Sequence, residues 1–194
     1  MKAGVVGAGL MGGEIALSFA LGGIPVILND LDEATLERGM LRLAKLLDKG
    51  VDRGFYTRLE ADTAFGRIQT TPDIRDMADC SIVTEAVFEA FDAKEKVLHA
   101  LDNICQPECI LASNTSTLPI STLAAALGAK RRRRFLGTHY FSPVSRMKLV
   151  EVIPAFGTDA EITEQVTKIL RSIGKEPVQV KDVAGFAVNR LLHA

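Results

Sequence analysis

The stretch GVVGAGLMGGEIALSF, residues 4–19, joins a short apolar run, a cluster of glycines and a helical pattern. Gly7, Gly9 and Gly12 have the spacing G-x-G-x-x-G. In that motif the first glycine permits a tight strand-to-helix turn, the second lets the backbone approach a pyrophosphate, and the third lets helix and strand pack closely. The free N–H groups at the start of the helix also attract phosphate. The stretch predicts a dinucleotide site, with a plain glycine-rich turn as the alternative.

The acid that follows the second apolar run supports the dinucleotide interpretation. Asp30 comes directly after the strand candidate Val26–Asn29 and lies 18 residues beyond Gly12. A carboxylate at this place binds the ribose 2′-hydroxyl and repels a 2′-phosphate, which favours NAD over NADP. The alternative is that Asp30 only caps the next helix.

Short apolar runs alternate with longer helical patterns along the rest of the chain. This alternation predicts an α/β protein with a Rossmann-type, doubly wound, mostly parallel sheet. The strand candidates are Ala3–Val6, Val26–Asn29, Ser81–Thr84, Ile110–Ala112, Phe135–Thr138, Leu149–Ile153 and Val178–Val180. The helix candidates are Leu10–Leu21, Glu33–Lys49, Asp92–Asn103, Ile120–Leu127, Ala160–Ile173 and Phe186–His193.

Two segments depart from a plain alternation. Residues 31–62, a charged helical stretch followed by a turn and a second helix, predict a helical arm inserted between the second and third strand candidates. We expect residues 1–184 to form the dinucleotide-binding domain. Residues 185–194 begin an apolar helix that stops after about two turns, so we expect the parent protein to continue there.

The composition limits the classes of partner. The 194 residues are 47% apolar and 24% charged, as in ordinary globular domains. The net charge of −1 predicts neither nucleic acid nor an anionic membrane as partner, and the apolar stretches are too short to span a membrane. Cys80, Cys105 and Cys109 lack the spacing of a disulfide framework or a metal site. We therefore expect free thiols, no bound metal and a cytoplasmic protein without a leader peptide.

Polar residues gather where ligands bind in such a sheet. The run SNTST, residues 113–117, follows the apolar strand CILA and lies at the predicted carboxyl edge. Helix capping before Pro119 explains one hydroxyl but not five polar side chains. The excess predicts contacts with a ligand.

His139 and Glu151 are the candidate acid–base pair. His139 lies at the end of one apolar strand, and Glu151, twelve residues later, interrupts another. A buried carboxylate is costly unless it is paired. Two antiparallel strands joined through SPVSRMK would place the two side chains next to each other. A carboxylate fixes the tautomer of an imidazole and stabilises the imidazolium, as a general acid–base requires; a satisfied core histidine is the alternative.

Three further polar features have less specific interpretations. Asn189 lies within the apolar helix FAVNRLL and is either an exposed helix residue or a donor to a substrate oxygen. The run KRRRR, residues 130–134, predicts a solvated turn rather than a phosphate site. Glu85 interrupts the strand IVTEAV without an identifiable partner.

Five motifs together resemble the NAD-binding domain of the 3-hydroxyacyl-CoA dehydrogenases over nearly the whole chain. They are GAGLMGGEIA, EAVFEAFDAKEKV, SNTSTLPI, HYFSPVSRMKLVEV and GFAVNRLL, in this order. The resemblance implies reversible, NAD-dependent oxidation of an L-3-hydroxyacyl-CoA to the 3-ketoacyl-CoA, in fatty-acid β-oxidation or 3-hydroxybutyryl-CoA metabolism.

The same resemblance assigns roles to individual residues. His139 would be the catalytic base, Glu151 its partner, and Ser116 and Asn189 would bind the reacting oxygen. The residues implied to contact the cofactor are Gly7, Gly9, Leu10, Met11, Gly12, Asp30, Glu89, Lys94, Ser116 and Ser142. The arm would approach the CoA moiety.

The chain departs from the family pattern in two ways. Ser142 stands where the motif H-x-F-N-P has asparagine. The all-helical C-terminal domain, which the resemblance implies for dimerisation and for closing the acyl-CoA cleft, would only begin at residues 185–194. Two alternatives stay open: a related dehydrogenase of a free hydroxy acid or polyol, of the carnitine or gulonate type, and an NAD-binding module without catalysis.

Overall fold

The computed structural model describes residues 1–192, in which eight strands form one sheet. The strands are β1 (Ala3–Val6), β2 (Val26–Asn29), β3 (Ile68–Thr71), β4 (Ile82–Glu85), β5 (Ile110–Ser113), β6 (Phe135–Tyr140), β7 (Leu149–Pro154) and β8 (Glu176–Gln179). The helices are α1 (Leu10–Leu21), α2 (Glu33–Asp52), α3 (Arg58–Gly66), α4 (Phe91–Ile104), α5 (Ile120–Ala125), α6 (Ala129–Arg132), α7 (Ala160–Ser172) and α8 (Val188–Leu192), with a 3-10 helix over Ile74–Asp79.

The strand order is β3-β2-β1-β4-β5-β6-β7-β8. Strands β1 to β6 are mutually parallel, β7 is antiparallel to β6, and β8 is parallel to β7. The predicted doubly wound, mostly parallel sheet is therefore confirmed. Strands β2 and β3 are added on one side of β1, and β4 to β6 on the other side. The strand order therefore switches between β1 and β4, and ligands bind at the carboxyl ends of the strands at such a switch point.

Burial explains why the strand candidates are continuous apolar runs rather than alternating ones. Every residue of β1, β2, β4 and β5 is buried, because helices cover both faces of the sheet. Helix α1 is also buried along nearly its whole length, since it lies between the sheet and the helices α2 and α3. This packing fixes the position of the glycine-rich loop at the sheet edge.

The helical arm at residues 31–62 lies between the second and third strand candidates, as predicted, and it also serves as a connection within the sheet. Helices α2 and α3 form the crossover from β2 to β3, an edge strand that is not among the strand candidates. Leu36, Leu43 and Leu47 of α2 are buried in the core. Asp32 caps α2 by accepting the Thr35 N–H, and a Thr57–Glu60 capping box starts α3. Both helices of the arm also pack against α1.

Most predicted bounds agree with the structure to within two residues. Strand β8 begins two residues before its predicted start. Strand β3 is not predicted because its four residues show only an incomplete apolar pattern. The last predicted helix begins at Val188 instead of Phe186, whose φ of +48° lies outside the helical region. Its predicted end at His193 lies outside the described residues.

The run KRRRR is largely solvated, as its charge predicts, but it begins with a helical turn and buries one arginine. Its first residues form α6, and Arg131 is buried. The Arg131 guanidinium donates to the carbonyl oxygens of Cys105, Gln106 and Cys109 and forms an ion pair with Asp102. One of the four arginines thus secures the end of α4, on the far side of the sheet from its carboxyl edge.

Candidate active site

The glycine-rich loop between β1 and α1 leaves room for a ligand at one glycine and none at the other two. A Cβ at Gly12 would stand 1.8 Å from the Gly7 carbonyl oxygen. Gly7 has φ +107°, and a Cβ there would meet the Ala86 carbonyl oxygen at 2.6 Å. At Gly9 a Cβ would meet nothing within 4 Å. The loop is packed against β4 on one side and open on the other, which fits a pyrophosphate approaching Gly9.

Asp30 lies at the end of β2 and is tied to this loop. Its Oδ2 accepts the Ala8 N–H at 2.6 Å, and its Oδ1 accepts the Leu31 N–H at 2.7 Å. Each carboxylate oxygen has a second lone pair, so the side chain can hold the loop and still accept a ribose hydroxyl. Leu10 is exposed at the start of α1, while Met11 packs against the core.

His139 and Glu151 are direct partners in the antiparallel ladder of β6 and β7. The His139 Nδ1 lies 2.8 Å from the Glu151 Oε2, and both side chains are almost fully buried. The Ser116 Oγ lies 3.1 Å from the other ring nitrogen, Nε2. The structure therefore joins three polar side chains from distant parts of the sequence into one hydrogen-bonded series.

The second oxygen of Glu151 joins this series to Asn189. Its Oε1 accepts the N–H groups of Ala187 and Val188, at 3.0 and 2.9 Å, where α8 begins. The Asn189 Nδ2 lies 3.5 Å from the Ser116 carbonyl oxygen. The structure thus places Asn189 next to Ser116, whose hydroxyl contacts His139.

Two aromatic rings lie close to the imidazole of His139. The ring centroid of Phe141 lies 4.6 Å from that of His139, and the centroid of Phe186 lies 5.5 Å from it. A low-polarity surrounding strengthens the hydrogen bonds that His139 makes with its polar neighbours.

Glu89 anchors the SNTST loop. Its Oε1 accepts the N–H groups of Ser116 and Thr117 at 2.8 and 3.0 Å, and also the hydroxyls of Thr115 and Thr117. Burial acts to raise the pKa of Glu89, but the Thr115 hydroxyl, the charge of Lys94 and the loop donors together lower it to about 2. Its predicted contact with the cofactor stays a prediction, but the structure shows a second role in shaping the loop.

Lys94 lies beneath the same loop and is almost fully buried. Its Nζ lies 2.8 Å from the Glu85 Oε1, 3.2 Å from the Val87 carbonyl oxygen and 3.2 Å from the Glu89 Oε2. These contacts occupy all three ammonium donors, so a cofactor contact through Nζ stays a prediction. Lys94 and the Ser113 hydroxyl are the partners of Glu85 that the sequence did not reveal.

Two buried or half-buried carboxylates support the site without having been predicted. Asp182 accepts the N–H groups of Ile120 and Ser121 at 2.9 and 2.7 Å, where α5 begins after the SNTST loop. No local pattern links residues more than 60 positions apart. Glu14 accepts the Ser145 N–H at 2.9 Å, and its carboxylate within an apolar helix was a signal of the kind that singled out Glu151. Ser142 itself is exposed in the turn after β6.

Neither a metal cluster nor a membrane helix is found in the described part of the chain. Within residues 1–192, no three potential metal ligands of the His, Cys, Asp or Glu type come together. In the same range no helix is long and apolar enough to cross a membrane.

A doubly wound sheet that opens a glycine cradle at its switch point defines a Rossmann-type dinucleotide-binding domain. The sequence identifies the family within this class of domains. The family model described as 3-hydroxyacyl-CoA dehydrogenase, NAD binding domain, matches residues 2–183. The chain belongs to this family, and NAD is the cofactor of the domain.

Similar proteins carry related names. The chain is 43% identical, over 98% of its length, to a fatty acid oxidation complex subunit alpha from Psychrobacter cryohalolentis, and it spans 26% of that relative. It is 42% identical to a probable 3-hydroxybutyryl-CoA dehydrogenase from Deinococcus radiodurans, covering 99% of the chain and 68% of the relative. The crystal structure of (S)-3-hydroxybutyryl-CoA dehydrogenase from Ralstonia eutropha matches with a TM-score of 0.95 at 36% identity, covering 98% of this chain and 67% of that one.

Proposed function

We propose that this domain belongs to an enzyme that reversibly oxidises an L-3-hydroxyacyl-CoA to the corresponding 3-ketoacyl-CoA. The observation that carries the proposal is the series Ser116–His139–Glu151, with separations of 3.1 and 2.8 Å, at the carboxyl edge of a sheet that binds NAD. A secondary alcohol needs a base for its hydroxyl proton at such an edge, and this series supplies one.

The proposed mechanism assigns proton transfer to His139. Because the Glu151 carboxylate accepts a hydrogen bond from Nδ1–H, the neutral ring presents the lone pair of Nε2 to the substrate. Nε2 takes the proton of the hydroxyl group that carbon 3 carries, and Glu151 stabilises the imidazolium that forms. When bound, NAD supplies the acceptor for the hydride that leaves carbon 3. In the reverse direction the imidazolium returns the proton to the ketone oxygen.

Ser116 and Asn189 are proposed to position the reacting oxygen. The Ser116 hydroxyl already lies against Nε2, and the Asn189 amide is held close to Ser116 by the helix that Glu151 caps. Hydrogen-bond donors at these places stabilise negative charge that develops on the oxygen. The residues that would hold NAD are the glycine-rich loop with Leu10 and Met11, then Asp30, and on the nicotinamide side Glu89, Lys94, Ser116 and Ser142.

A basic groove along the arm favours a CoA thioester over a free acid as the substrate. Two adjoining cavities of about 260 and 170 Å³ share Leu46 and Lys49 and extend from Gly9 to Phe55. The cations that line them are Arg42, Lys45, Lys49, Arg53 and Arg146. The sole carboxylate in the two linings is Glu14, which is already bonded to Ser145. An extended polyanion such as CoA suits this charge pattern better than a small hydroxy acid does.

The remainder of the acyl-CoA cleft and a homodimer contact are proposed to come from a C-terminal helical domain of the kind that the family resemblance implies. A chimera can supply it: the chain joined to the corresponding part of the Ralstonia eutropha relative. Size-exclusion chromatography with light scattering would then give the oligomeric state of both forms.

The test of the proposed function is NADH oxidation with acetoacetyl-CoA, measured on the chain and on the chimera. Acetoacetate, dehydrocarnitine and a keto-gulonate serve as competing substrates. We expect turnover of the thioester with a much higher kcat/KM than that of any free acid. A preference for a free acid would overturn the substrate class, and NADH binding without turnover in either form would identify a non-catalytic module.

A paired substitution tests the basic groove. Lys49→Gln is expected to raise the KM for acetoacetyl-CoA several-fold while kcat changes little, because the groove binds a part of the substrate that does not react. Lys130→Gln, at the far side of the sheet, is the matched control and should leave both constants unchanged. Equal effects of the two substitutions would count against the groove.

A further inference from the structure

The hairpin turn, defined as residues 141–148 between β6 and β7, is held from two sides by buried charged side chains. From α1, the Glu14 Oε2 accepts the backbone N–H of Ser145 at 2.9 Å. From the residue before β8, the Lys175 Nζ donates to the carbonyl oxygen of Val144 and, at 3.0 Å, to that of Met147. In all three hydrogen bonds the partner in the turn is a backbone atom.

The burial of these two charges indicates that their contacts matter. Glu14 is 5% exposed and Lys175 is 9% exposed. A buried charge without partners is strongly unfavourable, so each gains its stability from the turn and from the other charge. Burial lowers the pKa of Lys175, and the nearby carboxylate of Glu14 acts in the opposite direction. If the turn moved away, both charges would lose hydrogen-bond partners at once.

Glu14 also connects this turn to the cofactor loop. It lies two residues after Gly12, in the first half of the helix whose N-terminus faces the pyrophosphate site. Further along the turn, the Arg146 guanidinium lies 4.4 Å above the ring of Phe55 in the arm. The turn is therefore fixed to the cofactor helix at Ser145 and rests on the arm at Arg146, while Phe141 at its start contacts His139.

We propose that Glu14 is a positioning residue that couples NAD binding to the conformation of the hairpin turn. A cofactor bound at the glycine-rich loop stabilises the start of α1, and Glu14 passes this constraint to the turn. In the other direction, a turn held by Glu14 keeps Phe141 and Ser142 in place at the nicotinamide side of the site. The coupling rests on NAD binding alone and not on the identity of the substrate.

The consequence of removing Glu14 is a lower population of the binding-competent turn. An apparent Kd rises in inverse proportion to the fraction of protein in the competent conformation. We expect Glu14→Ala to raise the Kd for NADH by roughly tenfold, which corresponds to about 1.4 kcal/mol. Glu14→Gln keeps an oxygen that can accept the Ser145 N–H, so it should recover most of the affinity. Lys175→Met loosens the same turn from the other side and should weaken NADH binding in the same direction.

The experiment combines NADH fluorescence titration with hydrogen exchange of the peptide that covers residues 141–148. In the unsubstituted chain, NADH is expected to slow exchange in this peptide. In Glu14→Ala the slowing should be largely lost, although NADH at saturating concentration still protects the glycine-rich loop. Ser18→Ala is the matched control, because Ser18 is a buried polar residue of α1. Its hydroxyl donates to the backbone carbonyl oxygen of Glu14, within the same helix. It should leave both the Kd and the protection of the turn unchanged.

Two results would overturn the proposal. One is a Kd for NADH in Glu14→Ala equal to that of Ser18→Ala, even if the melting temperature falls. The other is full NADH-dependent protection of residues 141–148 in Glu14→Ala. Because neither measurement requires turnover, a failure to reduce acetoacetyl-CoA would reject the proposed substrate and leave the coupling intact.

Discussion

The glycine-rich loop and the His139–Glu151 hairpin lie at the same edge of the sheet but are assembled from different distances along the chain. The loop is contained in residues 7–12 and works mainly through its backbone, with Asp30 close behind. The hairpin site combines side chains from β6 and β7 with Ser116 and Asn189, which lie 73 positions apart. A local backbone site survives many side-chain changes, whereas a site built from distant side chains depends on each of them.

The first prediction separates these two regions by their effect on chemistry. His139→Gln should lower kcat by roughly 1,000-fold, within the usual range for removal of a general acid–base. The Kd for NADH should stay within about twofold, because the glycine-rich loop is unchanged. Stopped-flow measurement of NADH oxidation together with fluorescence titration checks both values. Near-normal hydride transfer in this variant would refute the assignment of the base.

The second prediction concerns the backbone of the loop. Gly12→Ala brings a Cβ to 1.8 Å from the Gly7 carbonyl oxygen, so helix and strand must separate. We expect a loss of about 3 kcal/mol in the free energy of unfolding, at the upper end for overpacking, and loss of NADH binding.

Gly9→Ala is the matched substitution for that prediction. Its Cβ would meet no protein atom within 4 Å, so the fold should be unaffected while the methyl group stands where the pyrophosphate approaches. Urea unfolding and NADH titration distinguish the two variants. Equal stability of both would show that the close packing at Gly12 has no energetic consequence.

The third prediction concerns the choice between NADH and NADPH. Asp30→Asn removes the charge that repels a 2′-phosphate and weakens the acceptor for the ribose hydroxyls. We expect a roughly tenfold weaker binding of NADH, because a hydrogen bond to a charged group contributes about 1.5–3 kcal/mol. Binding of NADPH should improve. Asp32→Asn, at the exposed cap of α2, is the control; an unchanged NADH preference in Asp30→Asn would exclude Asp30 as the selecting residue.

The smallest predicted effect is the pH dependence of the Glu89 anchor. The pKa of Glu89 is about 2 in the folded chain, below the value of about 4.3 expected for an unfolded glutamate. Its contribution to stability is therefore fully present above about pH 4.3 and is lost as the pH falls towards 2. The side chain is 36% exposed, so screening keeps this contribution at about 1 kcal/mol or less.

Thermal melts of the unsubstituted chain and Glu89→Gln check this pH dependence. The difference in melting temperature should be constant from pH 7 to pH 5 and should shrink below pH 4. A difference that grew as the pH fell would reverse the sign of the linkage and contradict the anchoring role.

The sequence predicted more of the loop than of the supporting contacts. Glycine spacing, the strand before it and the acid after it are local patterns, and the antiparallel pairing of His139 with Glu151 followed from one buried carboxylate and a short connection. The partners of Glu85, the anchoring of the SNTST loop by Glu89 and the cap from Asp182 had no such signal. Each joins residues whose separation along the chain carries no periodicity.

The sequence by itself determined seven of the eight strands and their order, the NAD signature after the first strand, and which polar residues interrupt apolar strands. These properties follow from local sterics and from the burial period of each element. Only the tertiary structure decided that the arm packs on α1 as the crossover to β3, that Arg131 is buried, and that Glu151 caps the helix of Asn189. Contacts of this kind depend on how distant elements approach, because a buried charge takes whichever partner the packing brings within hydrogen-bond distance.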